Sequence, residues 1–353
     1  MLVRLKGRFQ EKIFMSSFNI LLSSAGRRIG LVQCFRNALR DLGIEGKVLC
    51  IDAASDAPAA HLTDGSWLVP RCDKPAFLSS VLEICRRERV RLLVPTIDTE
   101  LEHYAAAEDV FRQAGVAVCI SDPSTVEIAG DKARTHEWLV RNSFPTVRQM
   151  PLEAIKESPE GWGFPVIVKP RHGSASLGVR RVHSLKELLL VTDSKREWIV
   201  EEIAPGEEYT INLFVDRNGK CRCAVPHRRI EVRAGEVSKA ITRKDRPMMD
   251  MARRLAEALP GSYGPLNVQC FLSPSKQLRI IEINARFGGG YPLAHKAGAS
   301  FTRWLLEEVI HGHITASFDA WQDGLMMLRY DEAVYLNSQE LGEPEYATAM
   351  SGF

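Results

Sequence analysis

Short apolar runs alternate with stretches of helical spacing through the first third of the chain. Residues 18–26, FNILLSSAG, read as a strand closed by small residues, and IGLVQCFRNALRDLG then repeats apolar positions at helical spacing until Gly43. KVLCIDA and RLLVPTID are further strands, VAVCIS another, and PAFLSSVLEICRRERV and ELEHYAAAEDVFRQAG are the intervening helices. Strands alternating with helices predict a parallel sheet covered on both faces. Such sheets bind ligands beyond the carboxyl ends of their strands, here residues 23–28, Asp52 and residues 96–100.

After about Pro123 the pattern changes. GDKARTHEWLVRNSFP is helical, PVIVKP a short buried strand, and RHGSASLGVRRV a small-residue loop returning to a strand. EWIVEEIAPGEEYTINLFVDRNGK gives two strands broken at Pro205 and Gly206, and CRCAVPHRRIEVRAGEVSKAIT continues in β character. PMMDMARRLAEALP is a helix, GPLNVQCFLSPSKQLRIIEINARF a hairpin, and residues 325–330 a final strand. Strand-rich units separated by helices predict an α+β second region. Domains are expected at 18–122 and 123–319, flanked by a disordered extension at 1–17 and a strand and tail at 320–353, loose beyond Leu341.

The hairpin carries the first chemical signal. In an extended strand Ile281, Ile283 and Ala285 face one way, and Glu282, Asn284 and Arg286 the other. With a turn at residues 273–276, Leu272 opposes Gln277 and Asn267 opposes Glu282, leaving Gln269 on the diagonal. Gln269, Glu282 and Asn284 then converge as oxygen donors suited to magnesium, which usually brings phosphates. Arg286 is placed to neutralise a transferring phosphoryl group. A solvated polar hairpin face accounts for one such residue and less easily for the set. Lys169 ends an apolar strand and is followed by Gly173, Ser174, Ala175, Ser176 and Gly178, a loop small enough to fold over phosphates. Glu201 and Glu208 flank the Pro-Gly break; taken alone they are a charged turn.

Composition narrows the classes. The 353 residues are 45% hydrophobic and 25% charged with a formal net charge of +2, ordinary for a globular protein and without a broad basic patch for nucleic acid. No apolar run approaches bilayer length. Eight scattered cysteines with no CxxC pair signal neither zinc nor a disulfide framework and point to a reduced, cytoplasmic setting. Cys221, Cys223, His311 and His313 are read as packing residues. SSAGRRIG followed by Asp52 invites a dinucleotide reading, but the close glycine pair of G-x-G-x-x-G is missing, as is a P-loop. MLVRLKGRFQEKIFM lacks the core of a signal peptide, and Met15 just before the first strand suggests a start-site extension.

Lys132, VIVKP with its Gly/Ser loop, VEEIAPGEEYT, NVQ and IEINARFGGG, in this order, resemble the ATP-grasp superfamily, most closely its carbamoyl-phosphate-synthase-like branch. The likeness runs from about Phe18 to Arg329. It implies a pre-ATP-grasp α/β domain before an α+β ATP-grasp fold whose lid spans about residues 165–210. It implies ATP and one or two magnesium ions, with manganese a possible substitute. Lys132 and Lys169 would contact phosphates beneath a lid loop holding Gly173, Ser174, Ser176 and Gly178. Glu201, Glu202 and Ile203 would lie along the nucleotide, Glu201 and Ile203 meeting the adenine edge through backbone groups. Glu208 would hold the ribose and Arg233 approach the nucleotide. Gln269, Glu282 and Asn284 would bind metal, and Arg286, with Lys169, would serve phosphoryl transfer. His172 stands where many relatives carry an acidic or small residue, and Asn267 where dipeptide-forming relatives carry arginine.

The chemistry so implied is phosphorylation of a carboxylate to an acyl phosphate, then attack by an amine. One grasp unit with a short tail fits a free-standing ligase of amino acids or small acids better than the larger enzymes. A ligase acting on a peptide or protein terminus and a non-catalytic nucleotide sensor stay open. Arg229 and Arg233 share a face at strand spacing and suit a carboxylate fork; a solvated basic edge is the alternative. Arg228, Arg171 and His172 are further substrate candidates, and His295 a candidate by position. The expected partners are small carboxylate and amine substrates and a second copy of the chain, without nucleic acid or membrane.

Overall fold

The computed structural model describes residues 17–173, 177–191, 196–233 and 235–337. Ser174, Ser176, the basic N-terminal stretch and the end beyond Leu341 lie outside the described residues.

The first region comprises β1 (Asn19–Ser23), α1 (Ile29–Asp41), β2 (Val48–Asp52), β3 (Ser66–Leu68), α2 (Phe77–Arg87), β4 (Val90–Pro95), α3 (Asp98–Ala106), α4 (Glu108–Gln113) and β5 (Ala117–Val118). Its five strands pair in parallel in the order β3-β2-β1-β4-β5. Ile20, Leu21 and Leu22 of β1 are all fully buried, the signature of a central strand covered on both faces. The stretch read as one helix over residues 100–115 divides at Ala107, where the backbone leaves helical geometry.

Two helices, α5 (Pro123–Gly130) and α6 (Lys132–Arg141), lead onward. Asp131 separates them: its side chain accepts from the backbone N–H groups of Ala133 and Arg134, satisfying the first turn of α6. A small sheet follows from β6 (Gln149–Pro151), α7 (Leu152–Glu157), β7 (Val166–Pro170), β8 (Arg180–Val182), α8 (Leu185–Leu189) and β9 (Trp198–Glu202), ordered β6-β9-β7-β8. It is built around its own apolar cluster, including Ile155, Val168 and Val200.

The larger antiparallel sheet comprises β10 (Glu207–Val215), β11 (Cys221–Arg233), β12 (Glu236–Thr242), β13 (Gly264–Leu272), β14 (Leu278–Asn284) and β15 (Met326–Leu328), with α9 (Arg246–Ala258), α10 (Tyr291–Lys296) and α11 (Phe301–His311). Its order is β14-β13-β10-β11-β12-β15. One continuous core joins this sheet to the first region, with Phe35 of α1 edge-on to Phe287 at 5.7 Å between ring centres. The final strand is shorter than the expected 325–330.

Two irregularities correct the sequence reading. In the β13–β14 hairpin Leu272 opposes Leu278, Gln269 opposes Glu282 and Asn267 opposes Asn284, with a bulge between Gln269 and Cys270. The bulge adds one residue to β14, so Ile281 and Glu282 both border the same cavity instead of alternating strictly. In β11 the register against β12 shifts between Arg229 and Glu231 and again before Val232. Strand alternation therefore fails between Arg229 and Arg233, and the two arginines do not form a fork.

Candidate active site

A cavity of about 590 Å³ lies where the three sheets meet. The small sheet contributes Ile167, Lys169, Glu201 and Ile203; the large sheet contributes Glu208, His227, Gln269, Phe271, Glu282 and Asn284; the first region contributes residues 24–28, Ile97 and Asp98. Its lining includes apolar walls of Ile167, Val179, Ile203 and Phe271 together with Lys132, Lys169 and Glu282, and Arg28 and Arg286 converge on the Phe287 carbonyl at its arginine end.

Lys169 is buried at the end of β7, and its Nζ lies 2.7 Å from Glu201 on the neighbouring strand β9. Gln149 Nε2 donates to the other Glu201 oxygen at 2.8 Å, so the Glu201 carboxylate is engaged on both sides within the protein. Lys132, at the start of α6, donates to the carbonyl of Gly173 at 2.6 Å, tying the helix to the glycine loop. Burial pulls its ammonium below the usual value, Glu282 opposing that shift and Lys169 adding to it.

Glu282 forms no ion pair among the described residues, although it borders the cavity. The oxygens beside it are amides: Gln269 accepts from Arg229 at 3.2 Å and Asn284 from Arg286 at 3.2 Å. Among the described residues no group of three or more His, Cys, Asp or Glu side chains gathers as for a self-sufficient metal site. One free carboxylate with amide oxygens fits a hard cation whose shell is completed by phosphate oxygens. Glu208 pairs with Arg229 at 2.9 Å, and burial raises its carboxyl pKa.

At the arginine end, Arg286 is held by Asp98 of α3 through two contacts of 2.7 and 2.5 Å. Burial lowers the Arg286 pKa, but Asp98, with Glu282 and Glu236, lifts it above its usual value. A row of buried amides runs across the sheet from there: Asn284 Nδ2 donates to Asn267 Oδ1 at 3.3 Å, and Asn212 Nδ2 lies 3.1 Å from His227 Nδ1. The glycines after Arg286 cross this row closely. A β-carbon on Gly290 would fall 2.8 Å from His227 Nε2, and one on Gly289 3.1 Å from the Glu236 carboxylate. Close approach, not unusual backbone torsion, requires glycine at 290, where φ is −86°.

The loop of residues 24–28 is braced from below. The buried Glu100 carboxylate accepts from Ser23 and Ser24 hydroxyls at 2.6 and 2.8 Å and from the Thr96 N–H at 2.7 Å. Asp52 accepts the Gly26 N–H at 2.9 Å and the Ala54 N–H at 3.0 Å, which gives it a structural duty in place of a ribose contact.

Several substrate candidates stand elsewhere. Arg171 is clamped to Asp131 at 2.6 Å and reaches Glu197 at 3.0 Å. Arg228 points to the opposite face and pairs with Glu207 at 2.5 Å. Arg233 is exposed against Glu231 at 2.6 Å, and His295 packs beside Tyr291 on α10. None of these four borders the cavity, whereas His172, Arg229, Glu202, Gly173 and Ile203 do; Gly178 instead sits beside Pro170 and Trp198. Arg28 and Asp98 fall in the segments 23–28 and 96–100 expected to meet a ligand but are not singled out there, and His227 is not assigned at all. His227 carries a signal there, lying two residues before Arg229 and so on the same strand face.

Residues 20–119 match the family described as PylC-like, N-terminal domain, and residues 129–290 match the ATP-grasp domain. A D-alanine–D-alanine ligase of Xylella fastidiosa is 30% identical over 110 residues, 28% of this chain and 36% of that one. The N-terminal section of the carbamoyl phosphate synthase large chain of Methanopyrus kandleri is 24% identical over 284 residues, 74% of this chain and 49% of that one. The chain thus spans about half or less of these curated relatives. Among solved structures, the biotin carboxylase domain of Hydrogenobacter thermophilus 2-oxoglutarate carboxylase, crystallised with MgADP and bicarbonate, superposes with a TM-score of 0.71 at 18% identity, covering 88% of this chain and 74% of that one. N5-carboxyaminoimidazole ribonucleotide synthetase of Thermotoga maritima gives 0.61 at 19% identity over 85% and 77%. No helix among the described residues is long and apolar enough to cross a membrane. The chain carries a PylC-like N-terminal domain over residues 20–119 ahead of an ATP-grasp domain over residues 129–290.

Proposed function

We propose that this protein is an ATP- and magnesium-dependent carboxylate–amine ligase acting on an amino acid or another small acid. The observation that carries the reading is Glu282: a carboxylate without a cationic partner, flanked by amide oxygens and facing Lys132, Lys169 and Arg286. In this reading residues 18–122 and 123–319 are the two functional units, and residues 165–210 the lid. The apolar walls of Ile167, Val179, Ile203 and Phe271 take the adenine, with Glu201, Glu202 and Ile203 along its edge and Glu208 at the ribose. Lys132, Lys169 and the loop containing Gly173 and Gly178 hold the phosphates. Glu282, Asn284 and Gln269 are the magnesium ligands; manganese, which shares the preference for oxygen donors, substitutes for it. Bound there, the metal supplies charge neutralisation on the phosphate tail.

In the first step a carboxylate oxygen bonds to the γ-phosphorus as the bridging P–O bond breaks, its electron pair leaving with ADP. Arg286, fixed by Asp98, meets the equatorial oxygens of the moving phosphoryl group. In the second step the amine nitrogen bonds to the acyl carbon, the phosphate leaves with the C–O electron pair, and the nitrogen gives up a proton. A small acid and an amine are the partners, and a homodimer the assembly.

The test is ADP release with Mg·ATP against a panel of amino acids and small acids, hydroxylamine being added to trap acyl phosphate as hydroxamate. Acid-dependent ADP and hydroxamate, both absent in Glu282→Ala, are the expected result. Nucleotide binding without acid-dependent release across the panel counts against the reading.

A further inference from the structure

Arg28 stands beside Arg286 and, like its neighbour Arg27, has no ion pair among the described residues. It lies just past β1, at the N-terminal boundary of α1, and borders the cavity. Its Nη1 donates to the Phe287 carbonyl at 3.1 Å, and among the described residues it forms no ion pair. Two other guanidiniums nearby are paired: Arg286 has Asp98, and Arg329 has Glu236 at 2.9 Å and the Gly289 carbonyl. Of these three guanidiniums Arg28 alone has no ion pair among the described residues, although Glu236, Asp98 and Glu100 are near enough to favour its charge, so its remaining donors are available to an anion in the cavity. Burial and the nearby Arg286 pull the Arg28 pKa down to about 10, which leaves it charged at neutral pH.

A second group borders the same cavity. His227 is fully buried, and its Nε2 has no partner among the described residues. Asn212 Nδ2 donates to Nδ1, so the proton of the neutral ring sits on Nε2 as an unpaired donor beside Gly290. The loop that carries Arg28 is pinned by Glu100 and Asp52, so the guanidinium is positioned before any ligand arrives.

We infer that this end of the cavity is the carboxylate subsite, in which Arg28 and the His227 Nε2–H receive the carboxyl group that is to be phosphorylated, next to Arg286. The assignment rests on the ligase reading above and deepens it: the acid is held between the first region and the large sheet, and Arg28, not Arg229, Arg233 or Arg228, is the arginine that recognises it. A guanidinium fork and a neutral N–H select a carboxylate over its amide or ester.

The test uses the full chain loaded with Mg²⁺ and a non-hydrolysable ATP analogue. Proteinogenic amino acids and two- to five-carbon mono- and dicarboxylates are screened by thermal shift, with and without nucleotide, and hits are titrated calorimetrically. The expected result is an acid whose affinity falls at least ~30-fold in Arg28→Met and less in Arg28→Lys, with nucleotide affinity within about twofold of wild type. His227→Gln, which keeps an N–H donor, should lose less than His227→Leu. Unchanged acid affinity in Arg28→Met, equal binding of the acid and its amide, or no acid binding to the wild type overturns the subsite. Loss of nucleotide binding in the wild type would instead strike the ligase reading, while acid binding in the nucleotide-free arm still decides the subsite.

Discussion

Arg28 and Arg286 reach the same atom: each donates from Nη1 to the carbonyl oxygen of Phe287, both at 3.1 Å. They arrive from separate sheets, one past β1 and the other past β14, so the site closes only when the two regions pack. Two guanidiniums on one acceptor repel, and Asp98 offsets one of them through a forked pair with Arg286. Asp98→Asn should therefore lower stability by about 2 kcal/mol, less than for a fully buried pair because the side chains are 11% and 20% exposed. Urea unfolding reads this, and a midpoint equal to wild type would show that the pair carries no net stability.

Lys169 and Glu201 make the sharper case, since their side chains are only 6% and 4% exposed. Lys169→Met leaves the Glu201 charge buried with Gln149 alone, at a cost of roughly 3 kcal/mol. Glu201→Gln on top of it removes that stranded charge, and the double variant should recover part of the loss. Nucleotide affinity should fall in both variants and not recover with stability. Additive losses of stability would mean that the pair is not coupled.

The sequence made the architecture readable where a single periodicity ruled. The buried runs of β1, β2 and β4 announced a parallel sheet, and the hairpin ending in IEINARF announced its polar face. Registers were lost where the backbone departs from regularity: the bulge at β14 moved Glu282 opposite Gln269, and the shifts in β11 turned Arg233 away from Arg229. Candidates chosen by charge alone, Arg171 and Arg228, found carboxylates within hydrogen-bonding reach instead of a ligand. Arg28 was legible only as part of the segment 23–28, and its own role was hidden for the opposite reason. Its neighbours Phe287 and Arg286 lie more than two hundred residues away, and local patterning does not encode which distant carboxylate is missing.

His227 gives a pH dependence with a defined sign. Burial first, then Arg229 and Arg329, pull its pKa from 6.5 to about 3. Between those values the unfolded chain binds the proton and the folded protein does not, so stability falls as pH drops through that window. His227→Gln should flatten this part of the acid limb, measured as the urea midpoint from pH 7 to pH 4, and a wild-type-like slope would contradict it. In the folded wild type the imidazole carbon resonances of His227 should stay constant from pH 8 to pH 5.

Gly290 and His227 should behave as a coupled pair. A methyl at 290 meets Nε2 at 2.8 Å and Cε1 at 2.9 Å, and Val237 closes the other side at 3.1 Å. The ring is fully buried and held at Nδ1 by Asn212, so it has little room to yield. Gly290→Ala should cost about 1–3 kcal/mol through overpacking, although the backbone itself accepts alanine there. His227→Ala alone leaves a void and also destabilises. Combined, the new methyl enters the space that the imidazole vacated, and the double variant should be more stable than the sum of the single losses by at least ~1 kcal/mol. Strict additivity in denaturant unfolding would mean that the glycine is required by something other than the approach of His227.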